Sequence, residues 1–168
     1  MKEVTDWFSQ YLNPLVQTKT ELDGFITSEI EKSKLKKEIL VDILKKADFN
    51  ISDILINEEE KVVDDKMLKV LEVLEMPEDM IEKIISNPLK KLELEHTIDG
   101  KRYSLPFKLE SQGTQRYYGF AGLLSLLVNS SIAFPIDELE DSLHPDLYIH
   151  FLLSFLVNSK KSQIIATT

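Results

Sequence analysis

Two groups of residues in the second half of the chain have the types and spacing that phosphate chemistry needs. Asp137 and Glu138 are consecutive carboxylates that close the apolar run Ile132-Ala133-Phe134-Pro135-Ile136. At the carboxyl end of a buried strand, such a pair lies where open α/β sheets place their ligands. One carboxylate can hold Mg²⁺ through water, and the other can orient or deprotonate an attacking water. Because successive strand residues point to opposite faces, two directions and two roles are natural. The pair can equally begin a solvated loop or cap the next helix. The second group, Ser111-Gln112-Gly113-Thr114, immediately precedes a helical segment. Free N–H groups and the macrodipole favour an anion at a helix start, Gly permits close approach, and hydroxyls add donors. A serine there also serves simply as a cap.

The elements that position these residues are legible in outline. Trp7, Phe8, Tyr11 and Leu12 recur at helical spacing. After Pro14, the apolar residues Leu22, Phe25, Ile26, Ile30, Leu35, Ile39, Ile43 and Leu44 predict one long amphipathic helix. Residues 51–56 read as a brief extended segment, 57–61 as an acidic solvated stretch, and 66–75 and 77–86 as short helices. The pattern then changes near Lys90. Leu92, Leu94 and His96 alternate with polar residues, Asp99-Gly100 signals a turn, and Tyr103, Leu105 and Phe107 alternate beyond it, which predicts a hairpin. A helix over 114–128 contains Gly119 and Gly122, each costing about 1 kcal/mol relative to Ala unless close packing needs the missing side chain. A buried strand at 132–136, a helix from Pro145 to Val157 and a β-branched strand over 163–168 complete the reading. The fold class is therefore mixed α/β: a helical lobe over residues 1–89, then a sheet with flanking helices over 90–168.

Length, charge and cysteine usage bound the function. The 168 residues make about one domain, large enough to bury a core. A formal charge of -9 argues against a broad nucleic-acid-binding face. With no cysteine there is neither a disulfide framework nor a thiolate zinc site. The apolar stretches 120–128 and 148–157 are too short to span a bilayer, so no membrane partner is expected, and the cytoplasm is the default location. His144 and His150 lack the i, i+4 spacing of a helical zinc pair, and His96 on the apolar side of the hairpin reads as structural. Tyr117 and Tyr118 read as packing rather than base-stacking residues. Arg116 stands where it could reach a phosphate or pair with a carboxylate.

Taken together, Glu110-Ser111-Gln112-Gly113-Thr114, the 132–138 strand and Asp141-Ser142-Leu143-His144-Pro145 resemble, in order, the signature motif, Walker B and D-loop of ABC-type ATPase heads. The nearer resemblance is to bacterial AAA-type ATPases of phage-defence and abortive-infection systems, related to the overcoming-lysogenization-defect nucleases, and it covers residues 92–168. It implies part of a P-loop-NTPase-type sheet and an enzyme that hydrolyses ATP with Mg²⁺ in a head-to-head homodimer. Such an ATPase gates an effector, often a nuclease. Asp137 would be the Mg²⁺-associated carboxylate and Glu138 the catalytic base. Ser111, Gly113 and Thr114 would contact the γ-phosphate of ATP held by the other protomer, and Ser142 and His144 would line the dimer seam.

The chain departs from that pattern in two places. Its only Gly-Lys pair, Gly100-Lys101, has Glu95 where the first glycine of G-x-x-x-x-G-K-[ST] belongs, so no Walker A loop is present. The 163–168 strand ends before a switch histidine. The resemblance therefore implies a fragment of a larger ATPase, inactive in isolation. Two other readings compete: a non-catalytic interaction module docking through exposed Leu22, Phe25, Ile26 and Ile30, and a remnant reading frame.

Overall fold

A computed structural model describes residues 2–17, 19–47, 50–59, 69, 73, 74, 77, 78, 80, 81, 85, 88–140 and 143–167. The helices expected at 66–75 and 77–86 fall largely outside the described residues. The fold is mixed α/β. In chain order the elements are α1 (Lys2–Tyr11), α2 (Asp23–Glu31), α3 (Lys37–Lys46), β1 (Ile51–Glu59), β2 (Leu89–Ile98), β3 (Lys101–Pro106), a 3₁₀ turn (Phe107–Leu109), α4 (Gln112–Asn129), β4 (Ala133–Ile136), α5 (Pro145–Asn158) and β5 (Gln163–Ala166).

α4 is the axis of the molecule. Its side chains from Tyr117 to Leu127 are buried on every face, as expected of a helix that other elements surround. α2 and α3 pack on it, and α5 adds Phe151, whose ring meets Phe120 edge-to-face at 5.4 Å. The two mid-helix glycines allow α2 to come close. A Cβ at Gly119 would lie 2.6 Å from Leu22 Cβ, and one at Gly122 would lie 2.4 Å from Ile26 Cδ1. The sequence permitted these glycines only if packing needed them, and here it does.

The long helix predicted after Pro14 is two helices. Lys34 and Leu35 N–H groups both return to Glu29 O, at 3.0 and 3.1 Å, and Ser33 takes a left-handed φ of 56°. The apolar spacing is compatible with a continuous helix, but the break lets Leu35 enter the core and turns α3 back across α4. This also corrects the expected docking patch: Leu22 and Ile26 are buried, Ile30 is half-buried, and of the four only Phe25 is exposed. Exposed apolar side chains lie on α1, at Val4, Trp7, Phe8 and Tyr11, and on α5, at Ile149, Leu153, Leu156 and Val157; no residue of α1 is buried.

The strands form two sheets. β1, β2 and β3 make an antiparallel meander in that order. Asp99 and Gly100, with φ of 50° and 75°, form the two-residue turn that joins Ile98 to Lys101, as the Asp-Gly signal predicted. The boundary expected near Lys90 falls inside β2, and one continuous core joins Ile26, Leu40 and Ile54 to Leu94, Tyr117 and Phe134.

β4 and β5 pair in parallel, Phe134 opposite Ile164 and Ile136 opposite Ala166. On the other edge of β4, residues 12–16 run parallel to it through isolated bridges, Leu12 to Ala133 and Val16 to Ile136. Pro135 is tolerated in this middle position because its carbonyl accepts from Val16 N–H at 2.9 Å, while Phe134 and Ile136 maintain the ladder to β5.

Candidate functional site

The carboxyl ends of β4 and β5 carry the first group of residues. Asp137 follows β4 directly; its N–H donates to Val16 O at 2.8 Å, which fixes it to the 12–16 segment. It is half-buried, and Glu138 beside it is exposed. Glu138 has a left-handed backbone, φ 49°, which costs a non-glycine residue about 1–2 kcal/mol. Such a conformation persists only where its surroundings over-determine it, and it is commonest at functional sites. The next residue, Leu139, is buried and anchors the turn on its far side.

Thr167, just beyond β5, holds the pair from the other side. Its N–H donates to Ile136 O at 3.1 Å, its hydroxyl donates to Asp137 Oδ1, and its Oγ1 accepts from Glu138 N–H at 3.1 Å. The sequence reading passed over this threonine, because a β-branched residue at a strand end is ordinary until the register sets it beside the carboxylates.

The second group forms the start of α4. Ser111 is the N-cap: its Oγ accepts from Thr114 N–H at 3.1 Å and lies 2.8 Å from the Thr114 hydroxyl. Ser111 and Gly113 are exposed, whereas Thr114 is buried, so its hydroxyl braces Ser111. The first-turn N–H groups of Gln112 and Gly113 have no helical acceptor. Unlike Gly119 and Gly122, Gly113 is not required by packing: a Cβ there would find only Ser111 Oγ, at 3.7 Å.

Glu110 ties this turn to the meander. Its nearly buried carboxylate lies 2.6 Å from His96 Nε2 on β2, and its carbonyl accepts from Gln115 Nε2 at 2.8 Å. His96 is thus the structural residue the sequence suggested. A cleft of about 310 Å³ opens beside the same turn between Lys19, Asp23, Lys108, Gln112 and Arg116. Arg116 donates to the carbonyls of Thr20 at 2.8 Å and Gln17 at 3.1 Å, and its guanidinium lies 4.9 Å from the Phe120 ring centre.

The remaining candidates are placed as follows. His144 caps α5, its Nδ1 accepting from Asp146 N–H at 3.4 Å, and is exposed; Ser142 lies outside the described residues. Tyr117 and Tyr118 are core residues. Burial pushes the Tyr118 phenol up to about 12 and raises that of Tyr117, whose hydroxyl lies 2.5 Å from His150 Nδ1. Desolvation, with Lys46 adding to it, lowers the pKa of His150, so the ring is neutral at neutral pH.

Among the described residues the Ser111 turn opens α4 and the carboxylates follow β4, so the two groups stand on different elements. Among the same residues no three His, Asp or Glu side chains form a metal cluster. The pair Asp137 and Glu138 is a donor set that would suit Mg²⁺, which takes one or two carboxylates and completes its shell with water and phosphate oxygens. No helix among the described residues is long and apolar enough to cross a membrane.

A family model described as "AAA domain, putative AbiEii toxin, Type IV TA system" matches residues 4–168. No curated protein matches the chain.

Proposed function

The chain belongs to this AAA domain family of P-loop NTPases, and from that premise we propose that it supplies part of a composite ATP-hydrolysing site. The observation that carries the proposal is the pair Asp137-Glu138 at the carboxyl end of a parallel strand, with Glu138 in a left-handed backbone. Asp137 would hold Mg²⁺ through water, and the ion would neutralise charge on the transferring phosphate. Glu138 would orient and deprotonate the attacking water. In phosphoryl transfer, such positioning and charge stabilisation supply most of the rate.

Ser111 and the amides of Gln112 and Gly113 would serve the γ-phosphate of a nucleotide held by another protomer, with Thr114 bracing the serine. Their place at the start of α4, on a different element from the carboxylates, fits two half-sites. Ser142 and His144 would lie on the seam between protomers. The phosphate-cradling loop must come from polypeptide that carries G-x-x-x-x-G-K-[ST], which these 168 residues lack. β5 has an edge for such a partner. Gln163 and Thr167 donate to β4, so alternation turns the amides of Ile164 and Ala166 the other way, where no strand pairs with them among the described residues. Such an ATPase in a phage-defence or DNA-maintenance system would gate an effector, a nuclease being the leading class.

A partner-docking role is favoured by a separate observation: α1 exposes Val4, Trp7, Phe8 and Tyr11 together. The two readings are compatible, since an ATPase that gates an effector needs a surface for it.

The test is hydrolysis by the chain assembled with its Walker A-bearing polypeptide. Glu138→Gln should abolish turnover while nucleotide-dependent association persists. Undiminished turnover would remove Glu138 from the catalytic role.

A further inference from the structure

We infer that Thr167 is a positioning residue that sets the geometry of both carboxylates through its single hydroxyl. The inference rests on the ATPase reading for its catalytic consequence, but its structural part stands alone. A threonine hydroxyl has one proton. The Glu138 amide can only donate, so the Thr167 oxygen accepts from it, and the one hydroxyl proton goes to Asp137 Oδ1. The polarity of both bonds is therefore fixed by the amide.

The backbone of Thr167 adds a third tie. Its N–H bonds Ile136 O, so residues 136, 137 and 138 are all held by one residue of the neighbouring strand. Leu139, buried, closes the turn on the other side. Between these two anchors Glu138 keeps its φ of 49°, which departs from the strand conformation of the residues before it. Without the hydroxyl, the Glu138 N–H and Asp137 Oδ1 lose this shared partner. The residue turns with the chain, so its carboxylate moves by the ångström or so that positioning in phosphoryl transfer does not tolerate.

Thr167→Val keeps the shape and removes the hydroxyl; Thr167→Ser keeps the hydroxyl. In the chain itself, the Glu138 amide and ¹³Cα resonances should show a left-handed residue in the native and Thr167→Ser proteins, and lose that signature in Thr167→Val. In the assembled ATPase, Thr167→Val should lower kcat on the order of tenfold to a hundredfold, with KM for ATP nearly unchanged, and Thr167→Ser should recover most of the loss. An unchanged Glu138 signature in Thr167→Val, or a Thr167→Ser protein that behaves like Thr167→Val, overturns the inference. Retained turnover in Glu138→Gln instead overturns the ATPase reading, and the resonances still decide the role of Thr167.

Discussion

Replacing each α4 glycine by alanine separates the two kept for packing from the one kept open. In a helix interior, alanine is worth about 1 kcal/mol over glycine, so a glycine with space around it is a stability cost. At Gly113 the nearest atom to an added Cβ is Ser111 Oγ at 3.7 Å, an ordinary contact. Gly113→Ala should therefore gain up to about 1 kcal/mol, less if the first turn is frayed. At Gly122 the added Cβ meets three atoms of Ile26 within 2.7 Å, and that side chain is fully buried and β-branched, with no free rotamer to take. Overpacking costs about 1–3 kcal/mol, which exceeds the propensity gain and leaves a net loss up to about 2 kcal/mol. Gly119→Ala should be the worst. Its clash is with Leu22 Cβ, 2.6 Å away, which no side-chain rotation can move, so α2 itself must shift. Urea unfolding should give midpoints in the order Gly113→Ala, native, Gly122→Ala, Gly119→Ala, at constant m. A Gly119→Ala protein as stable as the native one would refute the close approach of α2. A destabilised Gly113→Ala protein would show that Gly113 serves the fold rather than an approaching ligand.

Two other substitutions probe how the site is held. Ser111→Ala removes the only side-chain cap of α4 and should cost about 1 kcal/mol, seen as a lowered urea midpoint, with Ser111→Thr restoring it. His150 is neutral in the fold because desolvation, aided by Lys46, lowers its pKa. As pH falls below about 6.5, the unfolded chain takes up a proton that the folded chain refuses, so stability present at neutral pH is lost toward the lowered folded value. The difference in unfolding midpoint between native and His150→Asn should therefore shrink from pH 7.5 to pH 5; a constant difference would mean that His150 titrates alike in both states.

How far the residues alone reveal this molecule depends on the range of the forces involved. The hairpin is legible because Asp99-Gly100 and the flanking alternation act within a few residues, and the φ values of the turn follow from them. The α4 helix and its Ser111 cap are legible for the same reason. The break at Ser33 is not, because residues 22–44 keep a helical apolar spacing throughout; burial of Leu35 against the rest of the core decides it. Residues 12–16 carry no strand signal, since Pro14 interrupts the segment and their partners lie in β4, some 120 positions away in the pairing of Leu12 with Ala133.

The same division runs through the site. Asp137 and Glu138 announce themselves by type and by the apolar run before them, but what makes them a pair with two directions is supplied from both ends of the chain. Val16 O takes the Asp137 N–H, and Thr167 takes the Asp137 carboxylate and the Glu138 N–H. Neither contact can exist until three parallel segments, from residues 12–16, 133–136 and 163–166, lie side by side. Loop-closure entropy makes such long-range parallel pairing among the last structure to form. The strained φ of Glu138 is then the expected signature of a residue whose conformation is imposed by completed tertiary structure rather than chosen by its neighbours. The backbone of Asp137 and Glu138 is fixed only when the whole α/β layer is assembled, which couples the chemistry proposed for the pair to the integrity of the fold.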